Sequence, residues 1–389
     1  MVHDRKHIER HLPITELIEK WSYFLLGPRG TGKSWLVRHQ LQANKTIDYI
    51  DLLQSDTYVS LQARPSLLES MISHNIVVID EIQRVPELLN EVHRLIELKS
   101  IRFLLAGSSA RKLKRGGANL LAGRAFNANL FPLTYREIMD ATGHFELLKY
   151  LQHGGLPTVY TSPHATQYLH NYVETYLKEE IQAEALTRKL GNFTRFLKSA
   201  AQCHGQMINF TKLANDAQLA PNTVRDYFQI LEDTLVAFRL VPWQEGTNRK
   251  AVRTAKYYFF DPGVVHALLD VDTLNEQSNL YGTAFEHFIT MELRAYLSYA
   301  EIRKKLYYWR TKSQIEVDLV IGDNIAIEVK SAKRVSDRDN KGLNAIAQEG
   351  DFRQLLVVSR DPQPRSFPNG VRHIYWQDFL EQLWDGKII

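Results

Sequence analysis

The sequence predicts an α/β protein built on a parallel sheet, followed by a helical middle and a second, smaller α/β unit. Three observations carry that prediction. Four apolar runs, Tyr23–Leu26, Ile47–Ile50, Ile76–Ile79 and Phe103–Ala106, alternate with helical patterns in the first third of the chain. Strands apolar on both faces and separated by helices belong to parallel sheets covered on both sides. The first run leads directly into Gly27-Pro28-Arg29-Gly30-Thr31-Gly32-Lys33-Ser34. Far downstream, a long helix from about Tyr281 precedes two further strands, Glu316–Ile321 and Asn324–Val329.

A chain of 389 residues exceeds one ordinary core, so two to four domains are expected. The hydrophobic share of 44% and charged share of 24% are those of a soluble globular protein. No run approaches the roughly 20 apolar residues that cross a bilayer, so no membrane association is expected. The start, Met-Val-His-Asp-Arg-Lys-His, lacks the apolar stretch of a secretory leader. Cys203 is the single cysteine, which excludes an internal disulfide and a cysteine-cluster metal site and fits a reducing cytoplasm. A net charge of +4 permits nucleic-acid binding without arguing for it, so any basic surface must be local.

Between the early strands, helices are expected at Trp35–Gln42, Ser66–Ser73 and Val85–Leu98. The segment Phe145–Gln206 has mostly helical spacing, with Leu147, Tyr150, Leu151, Tyr168, Tyr172 and Tyr176 as core candidates. A short helix-rich unit runs to about residue 240, then a turn-rich basic stretch, Gln244–Lys256, and the strand-like Tyr257–Phe260.

The segment Gly27–Ser34 matches Gly-x4-Gly-Lys-Ser/Thr at every position. Glycines let successive N–H groups turn toward phosphate oxygens, and a helix opening near Lys33 adds its positive end. In such a loop Lys33 reaches the β- and γ-phosphates and Ser34 ligates Mg²⁺. Gly27, Pro28, Arg29, Gly30, Thr31, Gly32, Lys33, Ser34 and the adjoining Trp35 are the nucleotide-binding candidates. Ile76–Ile79 ends in Asp80 and Glu81, a carboxylate pair at the strand end where ligands of open α/β sheets bind. Asp80 is the candidate for the Mg²⁺ shell, and Glu81 for orienting the attacking water. A transferase does not need that second acid, so the pair favours hydrolysis over kinase chemistry. Ser108, with Ser109, ends the next strand in a position to sense the γ-phosphate; a helix cap before Arg111 explains the same hydroxyls equally well. Arg124, in Leu121-Ala122-Gly123-Arg124, is a candidate for reaching a neighbouring subunit's γ-phosphate, although a lone arginine is more often a solvated surface group.

Residues 207–241 carry the spacing of a helix-turn-helix. A first helix over about Phe210–Ala217 packs through Leu213, Ala214 and Ala217, and Leu219 closes the turn. Pro221 suits the opening turn of a second helix that buries Val224, Phe228 and Leu231. Asn222, Thr223 and Arg225 then face outward, where N-terminal residues of a recognition helix touch base edges. Arg249, Lys250 and Arg253, with Lys256, form a wing of cations fit for phosphates. A winged helix used only for packing or oligomer contacts is the alternative, and Asp226, Glu232 and Asp233 weaken the positive face.

The C-terminal strand pair flanks Gly322-Asp323-Asn324. Glu328 and Lys330, two apart on a strand, share a face, and nine residues intervene between Asp318 and Glu328. Two carboxylates and a lysine together can bind Mg²⁺ or Mn²⁺ and activate a water, with Glu286 upstream completing the acidic set. This pattern, with Gly282-Thr283-Ala284-Phe285-Glu286 before it, resembles PD-(D/E)XK nucleases and looks like the archaeal Holliday-junction resolvase version of that fold. Many such folds bind without cutting, and a surface hairpin with scattered charges is the plain alternative.

Taken in order, the elements are similar to the AAA-family ATPases of the AAA_14 group that carry a C-terminal DUF4143 domain. Gly27–Ser34, Asp80-Glu81-Ile82-Gln83, Ala106–Leu113, Leu121–Arg124 with Leu130–Leu133, Gly154-Gly155-Leu156-Pro157 and Lys256–Gly263 carry the resemblance. It implies an AAA-type core over 1–143, a helical lid over 144–190, a winged helix over 191–265 and a restriction-endonuclease-like α/β domain over 266–389. It also implies that Arg124 is an arginine finger and that the protein is a homo-oligomer, a ring being one form. The expected function is a Mg²⁺-dependent ATPase that binds and remodels DNA, branched or forked DNA being favoured. A nucleotide-switched signalling or scaffolding protein, with the last two domains as docking surfaces, is the alternative.

Overall fold

The computed structural model describes residues 7–41, 46–107, 121, 123–177, 190–244 and 254–389. Strands β1 (Ser22–Leu26), β2 (Ile47–Asp51), β3 (Ile76–Asp80), β4 (Arg102–Gly107) and β5 (Ala125–Asn129) form one parallel sheet in the order β2-β3-β4-β1-β5. Asp51 pairs with Asp80, Asp80 with Ala106, and Leu26 with Gly107, so the C-terminal strand ends lie level along one edge. β4 separates the strand feeding the glycine loop from the strand ending in Asp80.

Alternate residues serve opposite faces. Val77, Ile79, Phe103 and Leu105 pack with Leu88, Val92 and Leu95 of helix α4 (Leu88–Lys99). Val78, Leu104 and Ala106 pack on the other face with Leu36 and Val37 of helix α2 (Lys33–Gln40). Helices α1 (Ile14–Ile18) and α3 (Ser55–Ala63) complete this α/β unit. The pattern expected as a helix over Ser66–Ser73 is a tighter 3₁₀ stretch, Pro65–Met71.

The chain continues through α5 (Tyr135–Thr142), α6 (Leu147–His153), α7 (Pro157–Tyr160), α8 (Ala165–Asn171) and the π-helical Tyr172–Leu177. α9 (Leu190–Gln202), α10 (Phe210–Asp216) and α11 (Pro221–Asp233) follow. Leu156, Val159, Leu169 and Tyr172 share one core with Phe196, Val224, Phe228 and Leu231. The lid expected over 144–190 and the winged helix beyond it are therefore packed as one unit. Tyr150, Leu151 and Tyr172 are buried as expected, but Tyr168 is exposed, because its helix turns that position outward. The side chain of Tyr176 lies outside the described residues.

Gly154, Gly155 and Asp261 explain two of the sequence motifs. Gly154 has φ +75°, and a Cβ there would overlap the Asp261 carboxylate. That carboxylate accepts the Gly155 N–H at 2.8 Å and, at 3.2 Å, the Val264 N–H opening helix α12 (Pro262–Leu268). The motif pair is a buried clasp between the lid and the winged helix.

Strands β6 (Ala237–Pro242) and β7 (Lys256–Phe259) make the antiparallel wing hairpin. β6 also pairs in parallel with β8 (Leu306–Arg310), Val241 opposite Tyr307. The wing thus belongs to an eight-stranded mixed sheet with β9 (Glu316–Ile321), β10 (Ile325–Lys330), β11 (Gln354–Ser359), β12 (Arg365–Ser366) and β13 (Val371–Tyr375). No break in the sheet falls at the expected boundary at 265/266. The long helix α13 (Asn279–Tyr299) buries Phe285, Phe288 and Ile289 against this second sheet. Its last turns place Met291, Ala295 and Tyr299 on the first sheet. One amphipathic helix therefore covers parts of both sheets. Helices α14 (Lys341–Ile346) and α15 (Trp376–Trp384) cover opposite faces of the second sheet.

Candidate functional site

Gly30 and Gly32 sit at φ +86° and +92°, a left-handed region that costs glycine little and other residues more. These two residues curl Gly27–Ser34 around the positive end of α2, which begins at Lys33. The Lys33 ammonium is buried and turned back on its own loop, donating to the Gly27 carbonyl at 2.7 Å and the Pro28 carbonyl at 3.0 Å.

Beside the loop lies a hollow of about 190 Å³ whose lining includes His7, Ile8, Gly30, Trp35, Pro157 and Thr161. Trp35 stacks between His7 and His39, with ring centroids 5.3 and 4.5 Å away. The α7 end of the lid roofs this hollow, and the Tyr172 hydroxyl donates to the Arg29 carbonyl at 2.9 Å. The hollow adjoins the loop and the opening of α2, where backbone amides of such loops receive phosphates.

Arg10 was not legible in the sequence. It is 3% exposed and donates to the Thr31 carbonyl at 2.5 Å, the Phe131 carbonyl at 2.6 Å and Glu137 at 3.0 Å. Tyr299 of α13 stands 3.3 Å from the same guanidinium. Burial pulls the guanidinium pKa down and the Glu137 carboxylate pushes it up, with the net result raised. A single cation thus ties the phosphate loop to the C-terminal helix, and no local motif marks it.

Asp80 is 1% exposed at the end of β3. It accepts the Tyr49 hydroxyl at 2.9 Å and the Glu81 N–H at 3.1 Å. Burial, with the Asp80 charge adding to it, pushes the Tyr49 phenol up to about 12, so Tyr49 stays a donor. Glu81 follows at φ 59° and receives a hydrogen bond from Gln83. Ser34 and Asp80 offer hydroxyl and carboxylate oxygens, a donor set that suits Mg²⁺. Ser108 lies outside the described residues. Arg124 pairs with Glu97 at the start of β5. Ala125 is opposite Ser22, so Arg124 stands at the opposite end of the sheet from Gly27.

In the helix-turn-helix, Asn222 and Arg225 are exposed and Thr223 is half-buried. Arg225 donates to Asn222 at 3.1 Å and lies over the Phe210 ring at 5.3 Å. Glu232 is engaged by Arg239 at 2.8 Å. Arg249, Lys250 and Arg253 lie outside the described residues. Lys256 departs from the expectation of a surface wing cation. It is 4% exposed and pairs with Glu286 at 3.5 Å and with Glu316.

Lys256 changes the reading of the C-terminal cluster. Asp318 accepts the Val329 N–H at 2.8 Å, and Lys330 pairs with Glu328 at 2.5 Å, as their spacing on β10 predicts. Glu286 accepts the Tyr258 hydroxyl as well as facing Lys256. Burial and the neighbouring Glu328 and Glu286 hold Asp318 well above the usual carboxylate range. Burial also raises Glu328, against the pull of Lys330. Among the described residues no three His, Cys, Asp or Glu side chains are disposed to hold a metal ion. Lys256 and Lys330 take up oxygens of Glu286 and Glu328, while the second Glu328 oxygen is buried with no hydrogen-bond partner; the second Mg²⁺ or Mn²⁺ expected at Glu286, Asp318 and Glu328 is not shown by this arrangement. A lysine leading into the apolar run Tyr257–Phe260 was the available signal for Lys256.

Residues 20–139, which hold the glycine loop, Asp80 and Glu81, match the family described as AAA domain, AAA_14. That stretch is similar to an AAA-like ATPase domain. Behind it, residues 281–379 match the domain of unknown function DUF4143, and residues 144–275 match DUF8612, also of unknown function. The DUF8612 match runs through both lid and winged helix, in line with their common core.

An uncharacterized protein of Mycobacterium tuberculosis is 29% identical over 304 residues, covering 76% of this chain and 66% of the relative, so the match spans just under two thirds of that protein. An uncharacterized protein of Haemophilus influenzae is 22% identical over 328 residues, 78% of this chain and 77% of its own. Among solved structures, a Walker-type ATPase of Pyrococcus abyssi aligns over 66% of this chain and 93% of its own, with 16% identity and a TM-score of 0.44. No helix among the described residues is long and apolar enough to cross a membrane.

Proposed function

We propose that this protein is a Mg²⁺-dependent ATP hydrolase that binds and remodels DNA, forked or branched DNA being favoured, and that it works as a homo-oligomer. The observation that carries the reading is the shared core of lid and winged helix. Leu156 and Val159, next to the roof of the nucleotide hollow, pack in the same cluster as Val224, Phe228 and Leu231. A lid that closes on nucleotide therefore moves the helix bearing Asn222, Thr223 and Arg225, because packed cores shift as units.

Lys33, released from the Gly27 and Pro28 carbonyls, reaches the β- and γ-phosphates. Ser34 and Asp80 hold the ion, which when bound neutralises charge on the phosphate oxygens. Glu81 accepts a proton from the water it orients. Arg124 serves a neighbouring subunit, since it lies at the far end of its own sheet. The Lys256 ammonium, held on Glu286 and Glu316 beside the acidic set, favours a C-terminal domain that binds DNA without cutting it.

The test is ATP turnover with single-stranded, duplex, forked and four-way DNA, read beside a cleavage gel. Stimulation by one DNA form supports the reading. No binding at moderate salt and no change in turnover removes it, and a slow ATPase with a protein partner recovered by pull-down then favours the signalling alternative. Cleavage above an Asp318→Ala control would overturn the non-cutting assignment alone.

A further inference from the structure

Two adjoining hollows of about 290 and 270 Å³ lie where the ATPase sheet, the winged helix and the C-terminal domain meet. They share Phe238, Arg239, Val241 and Arg294, so they form one cleft. At one end the wall is Gly27 and Pro28 of the phosphate loop. At the other it is Lys305, Leu306 and Tyr307.

Arg294 is the feature that needs an explanation. Its guanidinium lies 3.5 Å from the Phe238 ring centroid and 5.4 Å from that of Phe131. Its one hydrogen bond among the described residues is to the Met291 sulfur at 3.8 Å, and no carboxylate pairs with it there. Burial holds the group down to about 9, with no opposing charge to raise it. Arg294 is partly exposed on the cleft, and a half-buried cation with no carboxylate partner among the described residues is placed to receive an anion. The only carboxylate lining the cleft among the described residues is Glu232, which Arg239 already engages. Arg239 and Lys305 are exposed, and Phe238 and Tyr307 are partly exposed between them. Cations interleaved with aromatic rings are what a flexible polyanion with flat bases requires.

We propose that this cleft binds single-stranded nucleic acid, its backbone phosphates on Arg294 and Lys305 and its bases against Tyr307, Phe238 being stacked with Tyr258 and serving as the seat of the Arg294 guanidinium. The inference rests on the reading that DNA is the ligand, and it explains why a fork would be preferred. Glu232 borders the cleft, whereas Asn222 begins the outward face of the same helix, α11. Ten residues at a helical rise of about 1.5 Å separate the two by about 15 Å. A duplex at one end of α11 and a displaced strand at the other would be held together. The strand would also touch the phosphate loop through Gly27 and Pro28, giving ATP binding a direct route to the DNA.

The experiment is fluorescence anisotropy on the full chain, saturated with a non-hydrolysable ATP analogue, using a labelled oligothymidylate and a labelled duplex over a salt series. Arg294→Gln and Lys305→Gln should each weaken oligothymidylate binding by about 5-fold or more and flatten its log–log salt slope by about 0.7. Duplex affinity and ATP affinity should be unchanged in both variants, and melting temperature in the Lys305 variant, whereas Arg225→Gln should weaken the duplex and spare the oligothymidylate. Lys305 is exposed, so its variant reads binding free of any folding defect. Unchanged oligothymidylate affinity and slope in both variants overturn the inference. So does a wild-type chain that binds duplex but not single strand, an outcome that leaves the broader DNA reading standing. Failure to bind any DNA overturns both.

Discussion

Glu81 occupies the left-handed region at φ 59°, directly after the strand that delivers Asp80. A non-glycine residue held there is uncommon, and such conformations gather where a side chain must be aimed. The turn carries the Glu81 carboxylate off the strand axis, where Gln83 steadies it. Glu81→Gln should cut ATP turnover by about 10²–10⁴-fold while leaving nucleotide affinity intact, measured by phosphate release and equilibrium binding. At the other site, Lys256 is the counter-ion to buried carboxylates. Lys256→Met leaves those charges uncompensated and should destabilise the fold by about 3–5 kcal/mol at pH 7 in chemical denaturation. The loss should shrink as pH falls, because burial already raises Asp318 and Glu328 and protonating them removes uncompensated charge. A loss that stays constant as pH falls would refute the electrostatic account.

At the scale of elements, α13 is the most informative. It carries Glu286 and Arg294, and between them Glu292, which is 1% exposed. Glu292 accepts the Tyr135 N–H at 2.7 Å and the Trp384 indole N–H at 2.8 Å, tying α5 and α15 to the same helix. Burial pushes its carboxyl up to about 8, against those two hydrogen bonds. The folded state therefore holds this proton more tightly than the unfolded chain, whose glutamates titrate near 4.3. Its contribution is complete below that value and is lost as pH rises through about 8. Glu292→Gln should remove this part of the decline in denaturation midpoint between pH 5 and 8, at a cost of about 1–3 kcal/mol from imperfect hydrogen bonding. His287, pushed down to about 3 by burial, acts in the opposite sense. The unfolded chain takes up that proton below about 6.5, so stability falls as pH drops past that value.

Elements also differ in how legible they were. The glycine loop and the four strands before Gly107 could be read because their signals are local: apolar runs, positive-φ glycines and acids at strand ends. The two helices of the helix-turn-helix followed from the spacing of Val224, Phe228 and Leu231. Arg10 and Lys256 could not be assigned in this way. Each gains its role from partners more than 20 residues away in sequence; Arg10 stands in an unremarkable stretch, and for Lys256 the only local sign was the apolar run that follows it.

For the whole molecule, the position of Arg124 makes an oligomer testable. Ala125 is opposite Ser22, so Arg124 is level with Trp21, and six intervals of about 3.3 Å along the strand direction put it roughly 20 Å from Gly27 at the entry to its own phosphate loop. Lys33→Ala and Arg124→Ala chains should each be inactive alone, and mixing them should restore part of the turnover. Mixed subunits create interfaces that pair an intact loop with an intact arginine. No recovery on mixing, in a preparation shown to exchange subunits, would assign Arg124 to its salt bridge with Glu97 instead.

By itself, the sequence determined the AAA-type parallel sheet, the phosphate loop with Asp80 and Glu81 beyond it, and the pairing of Glu328 with Lys330. All of these follow from residues a few positions apart, where backbone geometry and side-chain periodicity leave little choice. The tertiary structure alone decided that the wing joins the C-terminal sheet, through Val241 opposite Tyr307. It decided too that the lid and the helix-turn-helix share a core, that Lys256 sits in the acidic cluster, and that Arg294 faces a cleft with no carboxylate partner among the described residues. Those outcomes depend on which distant surfaces exclude water from one another. Burial, rather than residue type, then sets whether a charge is solvated, paired or left facing a cleft.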